Sequence, residues 1–345
     1  MQSAKSWLRH GLGWGGLTLV LISCSSNSPN SNNFPMSDTG GNAGAKPQIV
    51  ATTGVLCDLT QQVAGDTVTV TCLLPAGADP HTYRATPQDA KAMANARVIF
   101  YNGYNYESSL IKAVQAAPTT ITKVAVAEKA VSQPLMIKHD HHEHGDDDRK
   151  ATEKPQGKDA ESVADPHVWQ DVRQGQQMTQ IIATTLGEQF PEYRATYSSN
   201  SQQYQARLGK LDQWIRQQVA TVSPKQRKLV TTHDAFGYYA KAYGLTVEAA
   251  LLGVSTEEQA TPTQLQELVQ AIQNAGVPTI FVEETVNPKL MTAVAREAKV
   301  NLATGTLFPE GTGNTATTRT YIAAMVANTN TIVTGLGGTV TPFME

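Results

Sequence analysis

The feature that most constrains the fold of this sequence is the alternation of short apolar runs with helix signals. In the first half, runs at 49–53, 68–74 and 98–101 have the composition of buried strands, and helix patterns at 59–65 and 86–96 separate them. The second helix begins with Thr-Pro, a frequent helix opening. Strands that alternate with helices predict parallel βαβ units.

The second half of the chain repeats this alternation. A strand at 229–232 precedes a helix at 235–243, and a strand at 279–282 precedes a helix that begins at Asn287-Pro288. Between them, Thr261-Pro262-Thr263-Gln264 forms a capping-box sequence that predicts a helix to residue 274. The sequence therefore predicts an α/β fold of two lobes with parallel sheets.

A long helical stripe lies between the two halves. Apolar residues recur there at spacings of three, four and seven, as expected for one face of a helix: Tyr193, Tyr197, Tyr204, Leu208, Leu211, Ile215 and Val219. We predict one rigid helix over 191–220 that joins an N-terminal lobe (47–190) to a C-terminal lobe (221–345). The alternative is a helix that packs on one lobe only.

The N-terminus has the pattern of a secretion signal. Lys5 and Arg9 precede an uncharged run at 11–22, which is too short to span a bilayer as a stable helix. The run ends in Leu-Ile-Ser-Cys24, which looks like a bacterial lipobox. We expect residues 1–23 to be a signal peptide, Cys24 to be lipidated, and 24–46 to be a disordered tether. In the alternative, the signal is an ordinary one and Cys24 has no role.

Composition excludes several classes of protein. The chain has 345 residues and a formal charge of −3, so a strongly basic nucleic-acid-binding surface is not expected. Its hydrophobic content is unlike that of collagen-like, fully disordered or multispan membrane proteins. Three cysteines are too few for a disulfide-built scaffold. Cys57 and Cys72 could pair, could bind zinc, or could be buried free thiols.

Half of the eight histidines lie in one acidic tract, namely His139, His141, His142 and His144. Such a tract is either an incidental solvated loop or a weak zinc binder with several positions. The residues that follow it are polar and Lys-rich. We therefore expect an insert of about 136–162 that is mobile and serves as an accessory metal loop.

Three other histidines stand at places that suit ligand binding. His81 and His167 each end an Asp-Pro-His tripeptide, in which proline stiffens the turn. His233 follows a strand. Because ligands bind beyond the carboxyl ends of strands in open α/β sheets, all three could reach one cleft between the lobes. Three imidazoles, with a carboxylate or water, complete a zinc tetrahedron.

The sequence around these histidines resembles the metal-binding components of bacterial ABC importers. The resemblance covers 47 to about 340 and rests on motifs that occur in order: 79–83 with Thr86-Pro87, 102–103, 165–169, 233–239 with 242–245, and 280–283. It implies two α/β lobes joined by a long rigid helix, with one metal buried in the cleft between them. It also implies transfer of that metal to a membrane permease driven by an ATPase.

Within that family, the third ligand position is typically Glu in manganese binders and His in zinc binders. This chain has His233 there, and its acidic histidine tract is similar to that of the zinc-uptake branch. The resemblance therefore implies Zn²⁺ as the bound metal. It puts Glu310 at the fourth position, although many zinc members use water or another carboxylate there.

The sequence thus predicts a high-affinity zinc-binding lipoprotein, not an enzyme, that delivers Zn²⁺ to an ABC permease in the inner membrane. We expect a monomer that is periplasmic or otherwise extracytoplasmic, anchored by lipid, with no nucleic acid partner. The first alternative is a family member that binds manganese or another divalent metal. The others are a secreted zinc hydrolase and an adhesion or metal-storage protein. The sequence contains neither a His-Glu-x-x-His motif nor a nucleophile elbow, which argues against the hydrolase.

Overall fold

The computed structural model describes residues 46–138, 162–257 and 259–345. The predicted signal peptide, Cys24, nearly all of the tether and the four tract histidines lie outside these residues. In the part of the chain that is described, no helix is long and apolar enough to cross a membrane.

Strands and helices alternate along most of the chain. The strands are β1 (Gln48–Ala51), β2 (Thr69–Cys72), β3 (Val98–Tyr101), β4 (Thr122–Ala125), β5 (Met136–Lys138), β6 (Ser162–Ala164), β7 (Lys228–His233), β8 (Thr246–Leu252), β9 (Thr279–Glu283) and β10 (Asn301–Leu307). The α-helices are α1 (Gly54–Ala64), α2 (Pro87–Ala94), α3 (Ser108–Ala116), α4 (Val126–Ala130), α5 (Val172–Gln189), α6 (Arg194–Ala220), α7 (Gly237–Tyr243), α8 (Pro262–Ala275), α9 (Pro288–Ala298) and α10 (Tyr321–Gly335).

Apart from β5 and β6, the strands of both halves pair in parallel, as predicted. In the N-terminal half, β2, β1, β3 and β4 form one sheet in that order. In the C-terminal half, β7 pairs with β8 and β9 pairs with β10, and β7 lies beside β9. The parallel direction aligns the carboxyl ends of neighbouring strands, so the loops that follow them meet at one edge of each sheet.

Helix α6 contacts both halves of the molecule. On the N-terminal side, the Tyr204 hydroxyl donates to Asp58 of α1 at 3.2 Å. On the C-terminal side, Arg216 donates to the carbonyl of Ala242 at 2.7 Å. The alternative in which this helix packs on one lobe only is therefore wrong. The α-helix begins at Arg194 rather than at the predicted residue 191, so Tyr193, which is 38% exposed and ends a 3-10 turn at Pro191–Tyr193, is not part of its apolar stripe.

The structure corrects the expectation for the insert and selects one of the alternatives left open for the cysteines. The insert was expected to be mobile over about 136–162, but Met136–Lys138 pairs with Ser162–Ala164 in an antiparallel ladder. Backbone hydrogen bonds therefore hold both of its ends. Cys57 of α1 and Cys72 of β2 form a disulfide with a Cα–Cα distance of 5.6 Å, within the usual range.

Candidate metal centre

Each candidate ligand follows a strand or stands at its end. His81 lies in the loop after β2, and His233 is the last residue of β7. His167 follows β6 and directly precedes a short 3-10 turn at Val168–Gln170. Glu310 lies in the loop after β10. Candidate ligands from both halves of the chain thus meet in one cleft.

The four side chains converge on a single point. One ligand atom from each of His81, His167, His233 and Glu310 lies within 4.8 Å of the others, and all four residues are buried. Among the described residues, the three imidazole Nε2 atoms and Glu310 Oε1 have no hydrogen-bond partner. An unpaired buried polar atom costs free energy, so four of them facing one point form a set of donors suited to a cation.

Carboxylates orient two of the three imidazoles. His167 Nδ1 lies 2.9 Å from Asp165 Oδ1, and His233 Nδ1 contacts Glu283 Oε2. Glu283 also accepts the backbone N–H of His233. A carboxylate on Nδ1 leaves Nε2 free to bind metal and fixes the direction of the ring.

The ionisation of the centre follows from its burial and its charges. Burial holds the pKa of His81 and of His167 well below the usual value, so both rings are neutral. Burial also lowers the pKa of His233, but Glu283 outweighs it and raises this pKa to about 9. Burial raises the pKa of Glu310 to about 7. The metal-free centre therefore holds protons on the side of His233 and Glu310 at neutral pH.

The loop that bears Glu310 is held by several polar contacts. The Tyr106 hydroxyl donates to Glu310 Oε2. Gln170 Nε2 donates to the carbonyl of Pro309 at 2.8 Å. Gly311 has a φ of +82°, and a Cβ there would lie 2.3 Å from a methyl of Val55. This close packing requires glycine after the carboxylate and fixes where Glu310 points.

The structure thus brings His81, His167, His233 and Glu310 together. It says nothing about His139, His141, His142 and His144, which are outside the described residues. Sequence reasoning assigned no role to Asp165, Glu283 or Tyr106. The first two stand inside motifs that were noted, so a search for carboxylates near the histidines could have found them. Tyr106 is 204 positions from Glu310, and no local signal indicates their contact.

The centre reaches the surface on one side. A cavity of about 460 Å³ has a lining that includes His81, Tyr104, Tyr106 and Pro166, together with Val254, Ser255 and Glu257. His81 is the one candidate ligand in its lining. Three imidazole nitrogens and one carboxylate oxygen at such a site can hold a divalent transition metal in tetrahedral geometry.

Comparison with known proteins identifies the family to which the chain is similar. A family model described as "Zinc-uptake complex component A periplasmic" matches residues 49–335. The "Zinc-binding protein TroA" of Treponema pallidum is 32% identical over 300 residues, covering 85% of this chain and 90% of the relative. The "Manganese-binding lipoprotein MntA" of Halalkalibacterium halodurans is 30% identical, covering 87% of this chain and 92% of the relative.

The fold is similar to solved structures of the same kind. The structure of the periplasmic zinc-binding protein TroA from Treponema pallidum superposes with a TM-score of 0.74 at 31% identity, covering 85% of this chain and 99% of that chain. A manganese-bound periplasmic protein from Candidatus Liberibacter asiaticus has a TM-score of 0.71 at 22% identity, which shows the fold alone. The expected α/β architecture with parallel sheets and a long helix is confirmed.

Proposed function

The chain belongs to the family of periplasmic zinc-uptake components, and from this premise we propose that it binds Zn²⁺ outside the cytoplasm and delivers it to an ABC-type importer. The observation that carries the proposal is a set of four buried atoms on His81, His167, His233 and Glu310 that find no hydrogen-bond partner in the described part of the chain. A metal ion would satisfy all four at once. The centre would hold its cargo without changing it chemically.

Zinc is the proposed cargo because of the donor set. Three imidazoles and one carboxylate suit Zn²⁺, whereas Mn²⁺ prefers more oxygen ligands. Manganese is the second candidate, because relatives of similar identity are named for zinc and for manganese. By the Irving–Williams order, Cu²⁺ could bind more tightly than zinc in vitro.

A hydrolase is a weaker interpretation of the same residues. Catalytic zinc has three protein ligands and an open position for water. Here Glu310 supplies a fourth protein atom, with Oε1 3.6 Å from His233 Nε2. We therefore propose a binding protein rather than an enzyme. Metal storage or adhesion would not require ligands drawn from both lobes.

The remaining parts of the proposal concern placement. Cys24 would carry a lipid, residues 24–46 would be the tether, and the protein would act as a monomer beside its permease. The relatives that are named lipoproteins support a lipid anchor. His139, His141, His142 and His144 would bind additional zinc weakly.

A zinc titration with manganese as competitor tests the cargo and the site together. The protein would comprise residues 25–345 without 139–150, which removes the tract histidines and leaves the β5–β6 pair intact. We expect one tightly bound zinc that equimolar manganese does not displace. The same protein with His233→Ala is the matched control and should bind no zinc tightly. Absence of tight zinc from the unsubstituted site would refute the proposal, and displacement by manganese would favour the second candidate.

A further inference from the structure

Two side-chain pairs cross the cleft beside the surface opening. The Thr256 hydroxyl, in the loop after β8, donates to Asp79 Oδ2 in the loop after β2. The next residue, Glu257, accepts from Arg84 Nη1 at 3.1 Å. We propose that these pairs form an interlobe clasp, and that Thr256 is a positioning residue that acts through Asp79 to slow the release of metal from His81. The inference rests on the proposed function.

Asp79 connects the clasp to a ligand. Its Oδ1 accepts the backbone N–H of His81 at 2.9 Å, while its Oδ2 accepts from Thr256. One carboxylate therefore ties the His81 turn to the opposite lobe. When the loop that bears Thr256 moves away, Asp79 loses its contact with the opposite lobe, and its bond to the His81 turn is no longer braced from that side.

The position of the clasp determines what it can control. His81, Val254, Ser255 and Glu257 line the cavity through which the centre reaches solvent. A metal ion that leaves by this route must first lose its bond to His81. The clasp joins the two lobes beside this cavity. Opening of the cleft and loosening of the His81 turn therefore occur together.

The two pairs should contribute unequally. The side chains of Arg84 and Glu257 are 72% and 43% exposed, and such surface ion pairs contribute little. Thr256 and Asp79 are half-buried, and a hydrogen bond to a carboxylate is stronger than one between neutral groups. Most of the effect should therefore come from the Thr256 hydroxyl.

The test measures how fast zinc leaves the full-length protein in detergent micelles. A fluorescent chelator in excess captures released Zn²⁺ in a stopped-flow instrument, for the wild type and for Thr256→Val, Thr256→Ser and Arg84→Gln. We expect Thr256→Val to release zinc about tenfold faster, because one hydrogen bond to a charged group is lost. Thr256→Ser keeps the hydroxyl and should remain within about twofold of the wild type, and Arg84→Gln should change the rate by about twofold. Thr292→Val, at an exposed position of α9, is the control.

The outcomes separate this inference from the proposed function. If the wild type holds no zinc, both are overturned. If it holds one zinc and Thr256→Val releases it at the wild-type rate, the clasp alone is overturned. Equal acceleration by Thr256→Ser and Thr256→Val would indicate general damage to the loop and would also overturn it. Thr256→Ala, measured beside a thermal melt, replaces Thr256→Val if the valine variant does not fold.

Discussion

The two sides of the proposed metal centre are built in different ways. On the inner side, His233 has a carboxylate on its Nδ1 and faces a second one, Glu310. On the outer side, His81 pairs with no carboxylate among the described residues, and Asp79 holds only its backbone. The inner ligand is therefore oriented and charged, whereas the outer ligand is neutral and held through its loop. Both His81 and His233 are buried, but only the inner side holds protons at neutral pH.

The largest expected difference between the sides appears when a ligand is removed. His233→Ala should weaken zinc binding by at least about 1000-fold, because it removes an oriented donor and leaves Glu283 and Glu310 facing each other. His81→Ala should cost at least about tenfold less, since water can enter from the adjoining cavity and take its place. Isothermal titration with a competing chelator measures both. Equal losses would mean that the two sides do not differ energetically.

Loss of the inner carboxylate should have the next largest effect. Glu283→Gln removes the charge that orients His233, and such changes beside a metal ligand typically cost about 10- to 100-fold in affinity. Glu284→Gln is the matched control, because Glu284 is adjacent, half-buried and forms no hydrogen bond or ion pair with His233. If Glu283→Gln binds zinc as tightly as Glu284→Gln, the Glu283 carboxylate does not distinguish the inner side from the outer side.

The stored protons should make binding depend on pH. His233 has a pKa of about 9 in the metal-free protein and must lose a proton from its ring to bind zinc. Affinity should therefore rise as pH increases from about 7 to 9, by about tenfold per pH unit. Below pH 7, protonation of Glu310 should steepen the slope. His81 and His167 are already neutral and should add nothing.

Calorimetry in buffers of different ionisation enthalpy counts the protons released. We expect about one proton per zinc at pH 8, and fewer in Glu283→Gln, where the pKa of His233 loses its main support. A release of zero protons in the wild type would show that the inner side is uncharged before metal arrives.

The smallest effect should come from the group that holds the carboxylate ligand. Tyr106→Phe removes the hydroxyl that donates to Glu310. We expect about fivefold weaker binding, the equivalent of one modest hydrogen bond. Tyr101→Phe is the control, since the Tyr101 hydroxyl makes no side-chain hydrogen bond in the part of the chain that is described. An unchanged affinity for Tyr106→Phe would mean that the loop alone positions Glu310.

The sequence predicted those helices and strands whose limits are determined by residues close to them in the chain. Helices α2 and α8 begin where the Thr-Pro sequences indicated, because Thr86 and Thr261 form capping boxes within four residues. Strand β3 spans the predicted residues, since it is a continuous buried run. By contrast, β8 and β10 were not predicted. Both have mostly half-buried or exposed side chains, so pairing with a neighbouring strand determines them more than composition does.

The same distinction holds within the metal centre. His81, His167 and His233 could be selected from the sequence because each follows a recognisable turn or strand. Glu310 came from the family resemblance, as its loop has no strong signal of its own. The contact of Tyr106 with Glu310 and that of Thr256 with Asp79 join residues more than 170 positions apart. Only the packing of the two lobes brings them together.

The disulfide between Cys57 and Cys72 makes the protein convenient for measuring lobe movement. The chain has three cysteines, so a soluble form that starts at residue 25 contains no free thiol. Dyes attached to cysteines introduced at Lys91 and Lys289, both exposed and on opposite lobes, would then label those two positions alone. Energy transfer between them would report the opening of the cleft in single molecules, with the natural sequence of the centre left intact.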